Sequence, residues 1–154
     1  IDADDPFFCP DEVIRSYEFL VSNNYDIVEP YKSSSSGAGM VGYSLKTSLI
    51  RNSIQNLPLN TDTEMGWTFL KSEKKETSNK LPPPTRFEVV GRLTLDYWED
   101  YIFLEALRLL LGQDTTRQNI CKILKSNPNL VNINSFRTDE WANNQQKKSN
   151  PNHL

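Results

Sequence analysis

With 17 basic and 20 acidic residues among 154, the chain carries a net charge of −3 and has no global field to draw it to nucleic acid or an anionic membrane. The length suits one domain, and 37% hydrophobic residues suffice to build its core. No apolar run approaches the length of a membrane span and no cationic-then-apolar leader stands at the start, so the expectation is a soluble, cytoplasmic protein. Cys9 and Cys121 have neither metal-ligand spacing nor the density of a disulfide framework and are expected to be free thiols.

The chain opens on an acidic cluster, Ile1-Asp2-Ala3-Asp4-Asp5-Pro6. Because Ile1 is all that remains of any strand leading into it, the chain reads as part of a longer protein. Pro10-Asp11-Glu12 is a helix start: proline suits the first helical position and acids complement the positive end of the dipole. Val13, Ile14, Tyr17, Leu20 and Val21 recur at helical spacing and predict one buried stripe, ended by Asn23-Asn24. Tyr25 to Glu29 alternates with period two up to Pro30 and predicts a strand. Ser33 to Gly39 is a Ser/Gly loop, too polar for the core. Met40 to Leu45 predicts a second strand, and Lys46 to Ile54 a short helix with Leu49 and Ile50 turned inward.

Between Asn60 and Pro84 the pattern weakens to an apolar island, Trp67, Phe69 and Leu70, followed by the solvated run Lys71 to Glu76. Pro82-Pro83-Pro84 favours extended geometry and leads stiffly into a strand over Phe87 to Asp96, in which Gly91 marks a bulge or close approach. Asp96 stands where that strand runs into the clearest helix of the chain. Ligands of α/β proteins collect at the carboxyl ends of strands, so a carboxylate here is placed to hold a metal or a substrate. The simpler alternative is a helix cap, with Glu99 reaching back three residues on, which is worth about 1 kcal/mol and needs no metal. Tyr101, Leu104, Leu107 and Leu111 form the inward side, and Gly112 the stop. A further helix begins after Asp114, carries Ile120, Ile123 and Leu124, and ends at Asn127-Pro128. From Asn143 onward the chain is polar without periodicity and reads as a disordered tail, which holds the sole histidine, His153. The domain is therefore drawn at 1–142 and the tail at 143–154.

Strands alternating with helices imply an α/β fold with a mostly parallel sheet. There is no G-x-G-x-x-G, P-loop lysine, G-x-S-x-G elbow or Cys/His ligand set, and one tail histidine leaves no basis for histidine acid/base catalysis. Two acidic strand ends, far apart in sequence, suggest one Mg²⁺ site, the chemistry of phosphoryl or nucleotidyl transfer.

Ile1-Asp2-Ala3-Asp4-Asp5-Pro6-Phe7-Phe8-Cys9-Pro10-Asp11-Glu12-Val13 resembles the acidic segment of sugar-acid cytidylyltransferases and of the related spore-coat polysaccharide biosynthesis F-type proteins. Arg92-Leu93-Thr94-Leu95-Asp96-Tyr97-Trp98-Glu99-Asp100 is similar to their late Leu-Arg-Leu-Thr-Val-Asp-x-Pro-Glu-Asp stretch. Asn127-Pro128-Asn129-Leu130-Val131-Asn132-Ile133-Asn134 resembles the Asn-Pro-Glu-Leu-x-x-Ile-Asn run of the F-type branch. The resemblance covers most of residues 1–135 and implies a Rossmann-like three-layer α/β sandwich of the nucleotide-diphosphosugar transferase type, incomplete at the amino terminus. It places Asp4 and Asp96 on the two metal-binding aspartates, with Asp2 and Asp5 as reserve outer-shell ligands and Asp100 as a helix-start residue. Ala3 stands for the usual glycine and Trp98 for the usual proline. The Arg-Glu-His motif expected before Trp67 is replaced by Thr63-Glu64-Met65, and the amino-terminal base- and triphosphate-binding loop is missing.

The implied activity is a Mg²⁺-dependent cytidylyltransferase, in which a sugar or sugar acid attacks the α-phosphate of CTP and releases pyrophosphate for polysaccharide or glycan biosynthesis. As this fragment it is expected to be inactive. Its substrate side would be built from Ser33 to Gly39 and Trp67 to Phe69, and the resemblance implies a homodimer with the apolar island in the contact. The alternatives are a metal-dependent glycosyltransferase, using Asp2-Ala3-Asp4 to hold a nucleotide-sugar donor, or a non-catalytic interaction module of the same fold.

Overall fold

Pro10, Asp11 and Glu12 open helix α1 (Pro10–Ser22) as their chemistry dictates, with Cys9 as the residue before it. The computed structural model describes residues 4–31, 42–55, 57–61, 70, 78–83 and 91–148. After α1 come β1 (Ile27–Glu29), β2 (Ser44–Leu45), α2 (Thr47–Ile54) and β3 (Ser78–Lys80), then α3 (Trp98–Leu111), α4 (Arg117–Ser126), α5 (Pro128–Val131) and α6 (Arg137–Lys148). The described chain is thus mixed α/β.

The face that α1 buries is not the one its apolar spacing favours. Ile14, Tyr17 and Val21 are exposed, at 55%, 62% and 57%, while Glu12, Ser16 and Leu20 turn inward. Polar partners explain the choice. The Ser16 hydroxyl shares a 2.7 Å hydrogen bond with the hydroxyl of Ser44 on β2, and the Glu12 carboxylate lies 3.8 Å from the buried Arg117 guanidinium at the start of α4. On α2, likewise, Leu49 is buried but Ile50 is exposed.

The sheet has the order β2-β1-β3. Ile27 stands opposite Leu45 in an antiparallel pair and opposite Ser78 in a parallel one, so the mostly parallel sheet expected from the sequence is, among the described residues, evenly mixed. β3 lies where the pattern was too weak to predict a strand: Ser78-Asn79-Lys80 has no apolar alternation, and its place comes from backbone pairing to β1. Of the strand predicted over Phe87 to Asp96, residues 87–90 lie outside the described residues, and Arg92 to Leu95 form no strand. Their described backbone bond runs instead from Leu95 N–H to the Asp4 carbonyl, 2.8 Å. Gly91 has φ +131°, a conformation that L side chains rarely adopt, although a Cβ there would meet only ordinary contacts at 3.7 Å.

Two apolar clusters hold the molecule together. The larger joins Phe7 and Leu93 to Phe103, Leu104, Leu107 and Leu111 of α3 and to Ile120, Cys121 and Leu124 of α4. The smaller is Leu20, Val28 and Leu81. Gly112, at φ +59°, ends α3 and donates its N–H to the Arg108 carbonyl, as its place in the sequence predicts. The boundary drawn at Asn143 falls inside α6, which continues to Lys148; its first turn is held by Arg137, bonded to Glu99 of α3.

Candidate functional site

The site begins with a charged residue in an apolar run. Arg92 precedes Leu93 and Leu95, and its side chain goes inward to 2% exposure. Burying a guanidinium is costly unless carboxylates and aromatic faces take the place of water. Here Arg92 Nε donates to both oxygens of Asp100, at 2.9 and 3.2 Å, and Asp100 is itself fully buried. The guanidinium also lies 5.4 Å from the centre of the Tyr97 ring and 5.8 Å from that of Trp141, within cation-π range. Asn134, also fully buried, donates from Nδ2 to the Arg92 carbonyl and to Asp100 Oδ1, both at 2.9 Å.

Of the two outer nitrogens of Arg92, Nη1 has no hydrogen-bond partner among the described residues, and Nη2 donates to Asp96 Oδ2, which also accepts from the Thr94 hydroxyl at 3.2 Å. Asp96 Oδ1 accepts no hydrogen bond from the described residues, and the side chain is 27% exposed. The capping role that the sequence offered Asp96 falls to its neighbour. Tyr97 is the N-cap residue of α3, and Asp100 Oδ2 accepts from the backbone N–H groups of Asp96 and Tyr97, each at 3.0 Å. Glu99, expected to reach back to the helix start, turns instead to Arg137, and that hydrogen-bonded pairing holds its carboxyl below the usual range.

Asp4 approaches from the other end of the chain. Its carbonyl accepts from Leu95 N–H, so the backbone of the first acidic segment lies against the residue preceding Asp96. Phe7, three residues on, is packed into the α3/α4 core and anchors that segment. Asp4 is half-buried. Asp2, the third metal-ligand candidate, lies outside the described residues, as do Ser33 to Gly39, Thr63 to Met65, Trp67 and Phe69. Among the described residues no group of three or more His, Cys, Asp or Glu side chains could hold a metal ion.

Arg92, Asp100 and Asn134 lie within the sequence motifs, but nothing in those motifs points to this shared role. Arg92 carried the clearest signal, a guanidinium within a run otherwise suited to burial; nothing local marks Asn134, 42 residues away. Cys9 and Cys121 are both buried and form no disulfide, and burial pushes the Cys121 thiol up. No described helix is long and apolar enough to cross a membrane. Comparison with protein-family models, curated proteins and solved structures gives no match to this chain.

Proposed function

We propose that this chain is the carboxyl-terminal portion of a CTP-dependent nucleotidyltransferase, with a Rossmann-like sandwich of the nucleotide-diphosphosugar transferase type, and that Asp4 and Asp96 hold Mg²⁺. The observation that carries the reading is the 2.8 Å bond from Leu95 N–H to the Asp4 carbonyl, because it sets side by side two acidic segments about ninety residues apart in sequence. The donor set fits a hard cation: two carboxylates, one of them with an oxygen not engaged by the described residues. Bound Mg²⁺ would offset the charge of a nucleoside triphosphate. A sugar or sugar-acid hydroxyl then attacks the α-phosphate of CTP and pyrophosphate leaves. The reading carries a homodimer with it, and light scattering at high micromolar concentration checks that part.

The direct test follows Mn²⁺, a paramagnetic substitute for Mg²⁺, by electron paramagnetic resonance as it binds this chain, and measures nucleotide transfer in a longer chain supplied with CTP or UDP-sugars. Binding that is lost in Asp4→Asn and Asp96→Asn, with transfer from CTP alone, supports the proposal. Transfer only from UDP-sugars moves it to a glycosyltransferase. No metal binding and no transfer overturns it in favour of an interaction module, a second reading favoured by the exposed Ile14, Tyr17 and Val21 on α1.

A further inference from the structure

We infer that Arg92 and Thr94 are positioning residues that hold Asp96 by one oxygen, Oδ2, so that the other, Oδ1, is presented for the metal; this rests on the reading above. The contacts to Asp96 are asymmetric. Both described donors to Asp96 converge on Oδ2, Arg92 Nη2 and Thr94 Oγ1, and none reaches Oδ1. An arginine engaged with a carboxylate for stability alone favours the two-oxygen fork. Arg92 makes no such fork: its Nε alone spans both oxygens of Asp100, and only its outer Nη2 reaches Asp96.

The guanidinium that performs this is itself fixed. Asp100 is locked by the Asp96 and Tyr97 N–H groups and by Asn134, and the Tyr97 and Trp141 rings flank the guanidinium. Thr94 is 6% exposed, so its hydroxyl has little freedom to turn to water. Charge also fits. One guanidinium faces two carboxylates, which leaves the trio a formal charge of −1, so the contact with Arg92 does not cancel what Asp96 offers a cation. A buried arginine with its Nη1 unpartnered among the described residues is a poor device for stability alone, since apolar residues of similar volume usually serve as well.

The test is Mn²⁺ titration of the full chain, read by electron paramagnetic resonance, with circular dichroism to verify folding. Thr94→Val keeps the shape and removes the hydroxyl, and Thr94→Ser does the reverse. If Thr94 positions Asp96, Val weakens Mn²⁺ binding about 10-fold and Ser leaves it within a factor of about two, the range expected for groups that orient a ligand. A purely structural Thr94 gives the opposite order, because Ser loses the buried methyl. Arg92→Lys, where it folds, should weaken binding at least as much as Thr94→Val; where it does not fold, the Thr94 pair decides. Asp96→Asn separates the two levels. Unchanged binding in Asp96→Asn, or none in the wild type, overturns the metal site and this inference with it. Binding lost in Asp96→Asn yet intact in folded Thr94→Val overturns the positioning role and leaves the metal site standing.

Discussion

Residues 91–148 and the sheet region before them bury different things. The carboxyl-terminal region, with Phe7 inserted from the amino-terminal turn, closes nine apolar side chains around α3 and α4 and adds a buried polar knot of Arg92, Asp100 and Asn134. Around the sheet, the buried apolar cluster is three residues, Leu20, Val28 and Leu81, and α1 leaves Ile14, Tyr17 and Val21 exposed. Every described group placed near Asp96 therefore stands on the better-packed half, and Phe7 lets that half hold Asp4 as well. Precision at a site depends on such support, because a ligand oxygen is only as fixed as the elements that carry it.

The comparison breaks first at Asp100. Asp100→Ala leaves the buried Arg92 Nε without its acceptor and removes the acceptor for two backbone N–H groups at the start of α3. Removing one partner of a buried pair costs about 3 to 5 kcal/mol, so the variant should lose a large share of the roughly 5 to 15 kcal/mol that keeps a domain folded, read by urea unfolding. A cost below about 1 kcal/mol would mean that the knot is not what holds the carboxyl-terminal half.

A smaller effect sharpens the contrast between the cores. Leu107 is fully buried within the large cluster and Leu81 is 3% exposed within the small one. Leu107→Ala should cost about 4 kcal/mol and Leu81→Ala about 2, because a thinly packed site collapses more readily around the lost atoms. Equal costs, measured in the same urea experiment, would show that the two cores are packed alike.

How far the sequence showed this depends on whether the signal was local. The α1 start at Pro10, the Gly112 stop and the Asn127-Pro128 break of α4 follow from the properties of one or two residues and stand where those properties put them. β3 was hidden because backbone pairing, not side-chain alternation, makes it a strand. The inward face of α1 was hidden because the Ser16 to Ser44 and Glu12 to Arg117 contacts involve partners far along the chain. At the site, Asp96 was legible as a strand-end carboxylate or a cap, and only the folded positions show Tyr97 as the N-cap residue, with Asp100 rather than Asp96 accepting from the N–H groups there. A helical pattern gives the spacing of apolar residues, but which face turns inward is settled by the elements it meets.

The inward face of α1 can be tested by substitution on each of its sides. If α1 is held by Glu12, Ser16 and Leu20, then Ile14→Gln and Val21→Gln, at positions 55% and 57% exposed, should each change stability by less than about 0.5 kcal/mol, as ordinary surface substitutions do. Glutamine keeps good helix propensity, so lost helix formation does not confuse the reading. Ser16→Val tests the other side. It removes the hydroxyl bonded to Ser44, and although the new side chain is apolar, it must fit a place already 1% exposed. Overpacking together with an unpartnered Ser44 hydroxyl should cost about 1 to 3 kcal/mol. The reverse order, with the glutamine variants costly and Ser16→Val neutral, would turn α1 over and restore the apolar stripe as its buried face.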